Sequence, residues 1–389
     1  MRKLNTYKII GIIFIVSAVI LNEWTINQLL NYETNLYSTI KSLIVFSFQL
    51  IFISIGYFLY RKGKVAFQNI LLLFISFLIF VVLLEIILSM PFAQDLESSA
   101  PIWIPKKYKD LTRQINKQHD ETSSKNKFGF NDSNHTFKNE HGKRIAILGD
   151  SFTWGDAVPD SVIWTKKLET KFVENGYDVE ILNWGKSGWS TLDQYHFLIG
   201  DGNSFQFDYL IFSFVNNDPI MDSSYHKRLI YKSGFLYKKI LKPIEYVFPN
   251  TISFCLDLSN NFLSSYSDYG YHNWLNSNVY SEENLKKYSL LLQNIKQYCT
   301  EREIDFLFVM TPENHNPIIE EYFNKIIVLL NQNQIPYVNL FPMVNSELQN
   351  YSYRELWANP ADGHPGNLVT TVFANSIYNF FFERQFVIR

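Results

Sequence analysis

Gly149-Asp150-Ser151-Phe152-Thr153-Trp154-Gly155 places a serine hydroxyl between an apolar run, Arg144 to Leu148, and a periodic segment that passes from Val162 through Leu168 to Val173. Small residues allow a sharp turn, and a strand-to-helix turn delivers a hydroxyl to the carboxyl edge of a sheet, where clefts form in open α/β folds. Gly, Asp and Ser are also ordinary turn residues, so the tripeptide alone carries little weight. It gains weight from three later stations. Asn183-Trp184-Gly185-Lys186-Ser187-Gly188-Trp189 follows the apolar run Val179 to Leu182, and Val215-Asn216-Asn217-Asp218 ends the run Tyr209 to Phe214. Asp362-Gly363-His364-Pro365-Gly366 precedes a last amphipathic segment. A hydroxyl, backbone N–H groups beside glycine, a side-chain amide and a late histidine are the parts that acyl transfer needs.

The elements that must position these stations are legible as a pattern. Strand-like runs at 144–148, 178–182, 208–214, 304–310 and 336–341 alternate with helical patterns near 161–175, 190–199, 282–301, 316–332 and 367–383. Such alternation predicts an α/β fold, a parallel sheet with helices on both faces, which brings the three post-strand stations to one edge. Pro365 suits the first turn of the last helix. The alternation breaks over an insertion at about 219–281, rich in Tyr, Ser, Asn and Lys. This insertion reads either as a lid or substrate platform, or as a small packed subdomain with a solvated basic face. In the first case the rings of Tyr225, Tyr231, Tyr237, Tyr246, Tyr266, Tyr269, Tyr271 and Trp274 could stack on sugars. Lys227, Arg228, Lys232, Lys238, Lys239 and Lys242 could meet anionic lipid headgroups.

Taken in order, the four stations resemble the SGNH hydrolase family, the GDSL esterases and lipases, over roughly residues 143–389. The family's serine block corresponds to Ser151, its glycine block to Gly188, its asparagine block to Asn217 and its histidine block to His364. The resemblance implies a three-layer α/β/α sandwich with a flavodoxin-like parallel sheet. Val215 stands where the third block usually opens with glycine, and Ala361 where the last block usually has Asp; the nearest acid is Asp362, two residues before His364. Upstream, Asn126-Lys127-Phe128-Gly129-Phe130 is similar to a lead-in of membrane-anchored relatives.

On this reading Ser151 is the nucleophile and His364 its base, since a serine hydroxyl needs a partner to take its proton. A helix start beside His364 would disfavour the imidazolium and keep the ring neutral. Asp362 either holds the imidazole tautomer or caps the helix. The oxyanion donors are the N–H of Ser151, the N–H of Gly188 and the amide of Asn217, with Asn216 as rival for the last. Gly149 and Asp150 support the serine turn, and Asp218 braces the asparagine turn. Trp154, Trp184 and Trp189 wall an acyl pocket or belong to the core.

The first ninety residues carry three apolar stretches, Ile9 to Leu21, Leu43 to Tyr60 and Ala66 to Met90. They predict a membrane region over residues 1–90 with about three transmembrane helices, a linker over 91–142, and the catalytic domain over 143–389. No small-residue cleavage site follows the first stretch cleanly, which favours an uncleaved span. Arg2, Lys3 and Lys8 precede the first span and Arg61, Lys62 and Lys64 follow the second, while the loop from Asn22 to Ile40 has no Lys or Arg. By the positive-inside rule the catalytic domain then lies on the extracytoplasmic side of a multi-pass protein; Lys106, Lys107 and Lys109 oppose this mildly.

A formal charge of −2 over 389 residues gives no electrostatic case for nucleic acid. Cys255 and Cys299 match no metal spacing and form one disulfide or remain buried thiols; neither a metal nor a cofactor is implied. Three functions remain. One is a membrane-anchored serine esterase acting on O-acyl esters of an envelope glycan or lipid, with membrane lipids around it. The second is an O-acyltransferase using the same residues with a membrane acyl-transfer partner. The third is a non-catalytic envelope binding or assembly protein that keeps the fold.

Overall fold

The computed structural model describes residues 6–20, 38–90, 93, 104–122, 125–139, 142–221, 242–266 and 275–383. Three apolar helices open the chain where the apolar stretches predict them: α1 (Thr6–Ile20), α2 (Ser38–Lys62) and α3 (Lys64–Leu88). Helix α4 (Lys106–Thr122) follows, and then strand β1 (Lys143–Gly149), the one-turn helix α5 (Ser151–Trp154), α6 (Trp164–Glu174), β2 (Val179–Gly185), α7 (Thr191–Ile199) and β3 (Tyr209–Phe214). Next come α8 (Lys242–Val247), α9 (Pro249–Tyr266), α10 (Glu282–Glu301), β4 (Asp305–Met310), α11 (Pro317–Gln332), β5 (Tyr337–Asn339) and α12 (Phe341–Leu348). A hairpin, β6 (Trp357–Asn359) and β7 (Asp362–Pro365), leads into α13 (Asn367–Glu383).

Two compact units emerge, one of Met1–Asp95, Pro101–Lys106 and His226–Trp274, the other of Leu96–Ala100, Lys107–Tyr225 and Leu275–Arg389. In the first, large apolar side chains face outward: Leu73 is 70% exposed and Phe77 62%. That is the inverse of a core helix in a soluble protein. Among the described residues α3 is the one helix long and apolar enough to cross a membrane. Over its 15 described residues helix α1 is apolar and shorter than the roughly 20 that span a bilayer. It packs on α2 where Gly11 meets Gly56, the small-residue contact common between membrane helices. Near the end of α3, Glu85 accepts hydrogen bonds from Asn250 N at 3.1 Å and Thr251 N at 2.7 Å, satisfying donors left open at the start of α9. Residues 242–266 of the insertion thus belong with the apolar helices. Its remaining aromatic and basic residues, Tyr225 to Lys239 and Tyr269 to Trp274, lie outside the described residues.

The second unit is built on a five-stranded parallel sheet of order β2-β1-β3-β4-β5. This is the flavodoxin-like order expected, with its switch point between β1 and β3. Alternate residues of each strand face opposite layers. Ile145, Ile147, Ile211 and Val309 pack under α6, α12 and α13 with Trp164, Phe172, Val344 and Phe373. On the other face Phe212 stacks on Phe308, with ring centroids 4.9 Å apart, and Phe214 meets Phe323 of α11. Cys299 is buried on α10 and Cys255 exposed on α9, each a free thiol in a different unit, so the disulfide considered from sequence does not form.

The stretch expected as a linker contains α4 and an ordered clamp on the β1–β2 edge. Arg144, fully buried, donates from Nε to Glu180 Oε2 at 2.5 Å and from Nη1 to the carbonyls of Thr136 and Gln206. His135 bridges Glu180 Oε1 at 2.7 Å and Asp132 Oδ2 at 2.9 Å, and Asp132 also accepts from Asn183 N. Burial opposes a charge on His135, but the hydrogen bonds and charges of Asp132 and Glu180 outweigh it, and its pKa is raised. A raised folded pKa stabilises fully below the ordinary value of 6.5 and loses its effect as pH climbs through the raised one. Urea unfolding of the wild type should therefore show stability falling across that window, and His135→Gln should flatten the slope while costing about 1–3 kcal/mol at pH 6.

Candidate active site

Ser151 opens α5, a single turn perched on the carboxyl ends of β1 and β2. Asp150 caps it, accepting from Phe152 N on Oδ1 at 2.9 Å, and Gly155 closes it in the left-handed region at φ +84°. The turn sits so low on the sheet that a Cβ on Gly149 would lie 2.1 Å from Thr153 Oγ1, and one on Gly185 2.3 Å from Trp154 N. Only glycine at the strand ends permits this approach. Two asparagines satisfy the carbonyls at the end of the turn: Asn183 Nδ2 donates to Thr153 O at 3.0 Å and Asn131 Nδ2 to Trp154 O at 3.1 Å.

His364 reaches the same place from β7, its ring edge-to-face with Phe152 at 5.7 Å. Its Nδ1 lies 2.5 Å from Asp362 Oδ1, and its backbone N–H donates to the same oxygen at 3.2 Å. Asp362 thus holds the imidazole at Nδ1 and does not cap a helix: it sits in the β6–β7 hairpin, five residues before α13 begins. Its other oxygen, Oδ2, accepts from Asn116 Nδ2 of α4 at 3.0 Å. Asn116 Oδ1 accepts in turn from Asn359 Nδ2, whose own Oδ1 accepts from Thr112 Oγ1 at 2.7 Å. Burial works against the Asp362 charge, yet the hydrogen bonds from His364 and Asn116 prevail and hold its carboxyl below the usual range.

The expected neutral bias on His364 is overturned. Burial lowers its pKa, but the hydrogen bond to Asp362 and the charges of Asp362, Asp156 and Asp150 raise it above the ordinary value. The helix start invoked from sequence lies further on, because Pro365 ends β7 and α13 begins at Asn367. Carboxylates, and not a helix terminus, set the state of this ring. Asp150 proves both cap and titrating group: burial pushes its carboxyl up to about 6 against the hydrogen bond from Phe152 N and the attraction of His364.

The other stations follow the neighbouring strands. Gly188 sits at φ +80°, exposed, in a turn closed by Trp189 N donating to Lys186 O at 3.1 Å. After β3, Asn216 is buried, its amide 3.5 Å from Glu313 Oε2 and its carbonyl accepting from Tyr280. Asn217 is half-buried, and among the described residues its amide has no hydrogen-bond partner, which leaves Asn217 as the amide available to a ligand. Asp218 braces this turn, accepting on Oδ2 from Val215 N at 3.1 Å; burial and the nearby Asp150 hold its carboxyl well above the usual range. Trp154 and Trp184 are core residues, whereas Trp189 is half-buried against Phe130. Ser151 and His364 are brought to one edge but not hydrogen-bonded, since Ser151 Oγ donates to Asp150 Oδ2 at 3.0 Å.

Sequence reading missed three contributors. Asn116 lies in the presumed linker, and its polar helix gives no local sign of a role. Glu313 follows β4, where burial pushes its carboxyl up to about 7 against the attraction of His364. Asp156 follows the serine motif by one residue and faces His364 Nε2 at 3.7 Å. Among the described residues no cluster of His, Cys, Asp and Glu could hold a metal ion.

No protein-family model and no curated protein matches this chain. Solved structures of similar shape include a catalytic mutant of an acetylxylan esterase from Geobacillus stearothermophilus, 12% identical, with 61% of this chain and 93% of that one covered at a TM-score of 0.37. Another is a lipase/acylhydrolase from Enterococcus faecalis, 16% identical, with 62% and 96% covered at 0.35. A third, the acetyl xylan esterase AlAXEase, is 14% identical, with 61% and 98% covered at 0.36. At these identities and TM-scores the likenesses do not set the family or the activity of this chain.

Two substitutions probe the geometry without an assay of function. Gly185→Ala should lower stability by about 1–3 kcal/mol in thermal unfolding, because its Cβ would press on the backbone of α5. Asn116→Ala should raise the pKa of Asp362, read as an upward shift of its carboxyl titration by NMR.

Proposed function

We propose that this chain is a membrane-anchored serine esterase of the SGNH type, hydrolysing O-acyl esters on a cell-envelope glycan or lipid. The observation that carries the reading is the Asp362–His364 pair set against the one-turn helix that opens with Ser151. Rotation of the Ser151 side chain takes Oγ from Asp150 toward the imidazole. The neutral ring accepts the hydroxyl proton on Nε2 as Oγ bonds to the acyl carbon. Asp362 stabilises the imidazolium that forms. The N–H groups of Ser151 and Gly188 and the amide of Asn217 meet the developing oxyanion, each worth on the order of 100- to 1000-fold in rate. The imidazolium returns its proton to the leaving sugar or lipid oxygen, leaving an acyl-serine. Water, deprotonated by His364, then releases the acid.

The exposed apolar faces of α1–α3 support the anchoring, and the distribution of Lys and Arg around them supports a catalytic unit on the extracytoplasmic side. The same residues would serve a transferase if a sugar hydroxyl took the place of water, with no change in the first half of the reaction.

The test uses the full-length protein in detergent, wild type beside Ser151→Ala, with an aryl acetate substrate and a serine-directed phosphonate. Turnover should fall by on the order of 10⁴-fold or more in the mutant, and labelling should vanish with it. Because the base has a raised pKa, the acid limb of the pH–rate profile should lie above the ordinary histidine value of 6.5. Equal background turnover in both proteins, without labelling, would overturn the esterase. Acyl transfer to a supplied glycan without net hydrolysis would assign the transferase.

A further inference from the structure

We propose that Asp156 is a positioning residue that ties the base to the oxyanion turn, holding His364 by its Nε2 edge and Gly188 through Ser187. Its consequence for turnover rests on the esterase reading, but the contacts stand without it. One oxygen makes both ties: Asp156 Oδ2 lies 3.7 Å from His364 Nε2 and accepts from Ser187 Oγ at 2.5 Å. Ser187 immediately precedes Gly188 in the Lys186–Trp189 turn, so this hydrogen bond fixes the peptide whose N–H is offered to the oxyanion.

The backbone is bent to present this carboxylate. Gly155 before it has φ +84°, and Ala157 after it has φ +64° while being buried. A left-handed alanine is strained, and such residues persist where the surroundings over-determine them. Here the surroundings are the Ser187 turn on one side and the imidazole on the other.

The ring is then held at both nitrogens. Asp362 from β7 takes Nδ1 and Asp156 faces Nε2. Asp150 from the serine turn and Glu313 from the loop after β4 add their fields. In the protonated state Nδ1 is hydrogen-bonded to Asp362, the charge at Nε2 lies 3.7 Å from Asp156, and Ser151 Oγ donates to Asp150. Loss of the Nε2 proton removes the attraction to Asp156 and frees that edge for Ser151. When the serine proton arrives during acylation, Asp156 supplies a second negative charge to the imidazolium. Both roles use an acid one residue beyond the serine motif.

Asp156→Asn removes the charge and keeps an acceptor for Ser187, while Ser187→Ala removes the tie and keeps the charge. Full-length protein in detergent, with ¹³C-labelled histidine, reports the His364 ring titration, assigned by its loss in His364→Gln. Asp156→Asn should lower that titration by about half a pH unit or more, and the acid limb of aryl acetate turnover should move with it. Ser187→Ala should leave the titration in place and reduce turnover by on the order of 10- to 100-fold through a displaced Gly188. A His364 titration in Asp156→Asn that coincides with wild type would overturn the tie to the base. Wild-type turnover in Ser187→Ala would overturn the tie to the oxyanion turn. Absence of turnover in the wild type would count against the esterase alone, since the ring titration still decides whether Asp156 holds His364.

Discussion

The candidate site depends on one close approach, that of helix α5 to the carboxyl ends of β1 and β2. Gly149 and Gly185 are paired across the two strands, and both lack the Cβ that would strike Thr153 and Trp154. Because the turn can sink onto the sheet, Asn183 and Asn131 reach its last two carbonyls, and Phe152 meets the His364 ring. A methyl group at either glycine would lift α5 and separate Ser151 from the hairpin that carries His364. The clamp of residues 125–139 on the β1–β2 edge serves the same contact, since Asn131 belongs to that segment and Asp132 bonds the backbone of Asn183.

Around this contact the charges are arranged so that burial and pairing oppose each other. Asp150, Asp218 and Glu313 lose solvent and rise, whereas Asp362 gains donors from His364 and Asn116 and falls. The ring at the centre answers to the carboxylates near it. Environment and not residue type therefore separates the lowered carboxyl of Asp362 from the raised ones. The network that fixes Asp362 runs back through Asn116, Asn359 and Thr112, so α4 takes part in the site although it precedes the sheet in the chain.

The parallel sheet and its helices were legible because apolar period changes at nearly every element: α10, α13 and β3 fall within a residue or so of where the pattern put them. Helix α5, the β6–β7 hairpin and α4 were not, each for a physical reason. A single turn is too short to show a period. The hairpin strands of three and four residues are held by tertiary contact and not by propensity. Helix α4 is strongly polar, which reads locally as a solvated linker until its Thr112 and Asn116 are seen to be bonded inward. The placement of His364 next to a helix start failed for a related reason: Pro365 is equally at home at a strand end, and the hairpin took it.

From residues alone one could name candidate groups, Ser151, Gly188, Asn217 and His364, and expect parallel strands to deliver the first three to a common edge. These follow from side-chain type and from a hydrophobic period, both local properties. Tertiary structure alone decided what each group touches. It committed the amide of Asn216 and left that of Asn217 open, set Asp362 against Nδ1 of His364, turned Ser151 toward Asp150, and set Asp156 and Glu313 near the ring. Those outcomes depend on distances between segments more than two hundred residues apart and on the water each contact excludes, and neither quantity is written in any one stretch of chain.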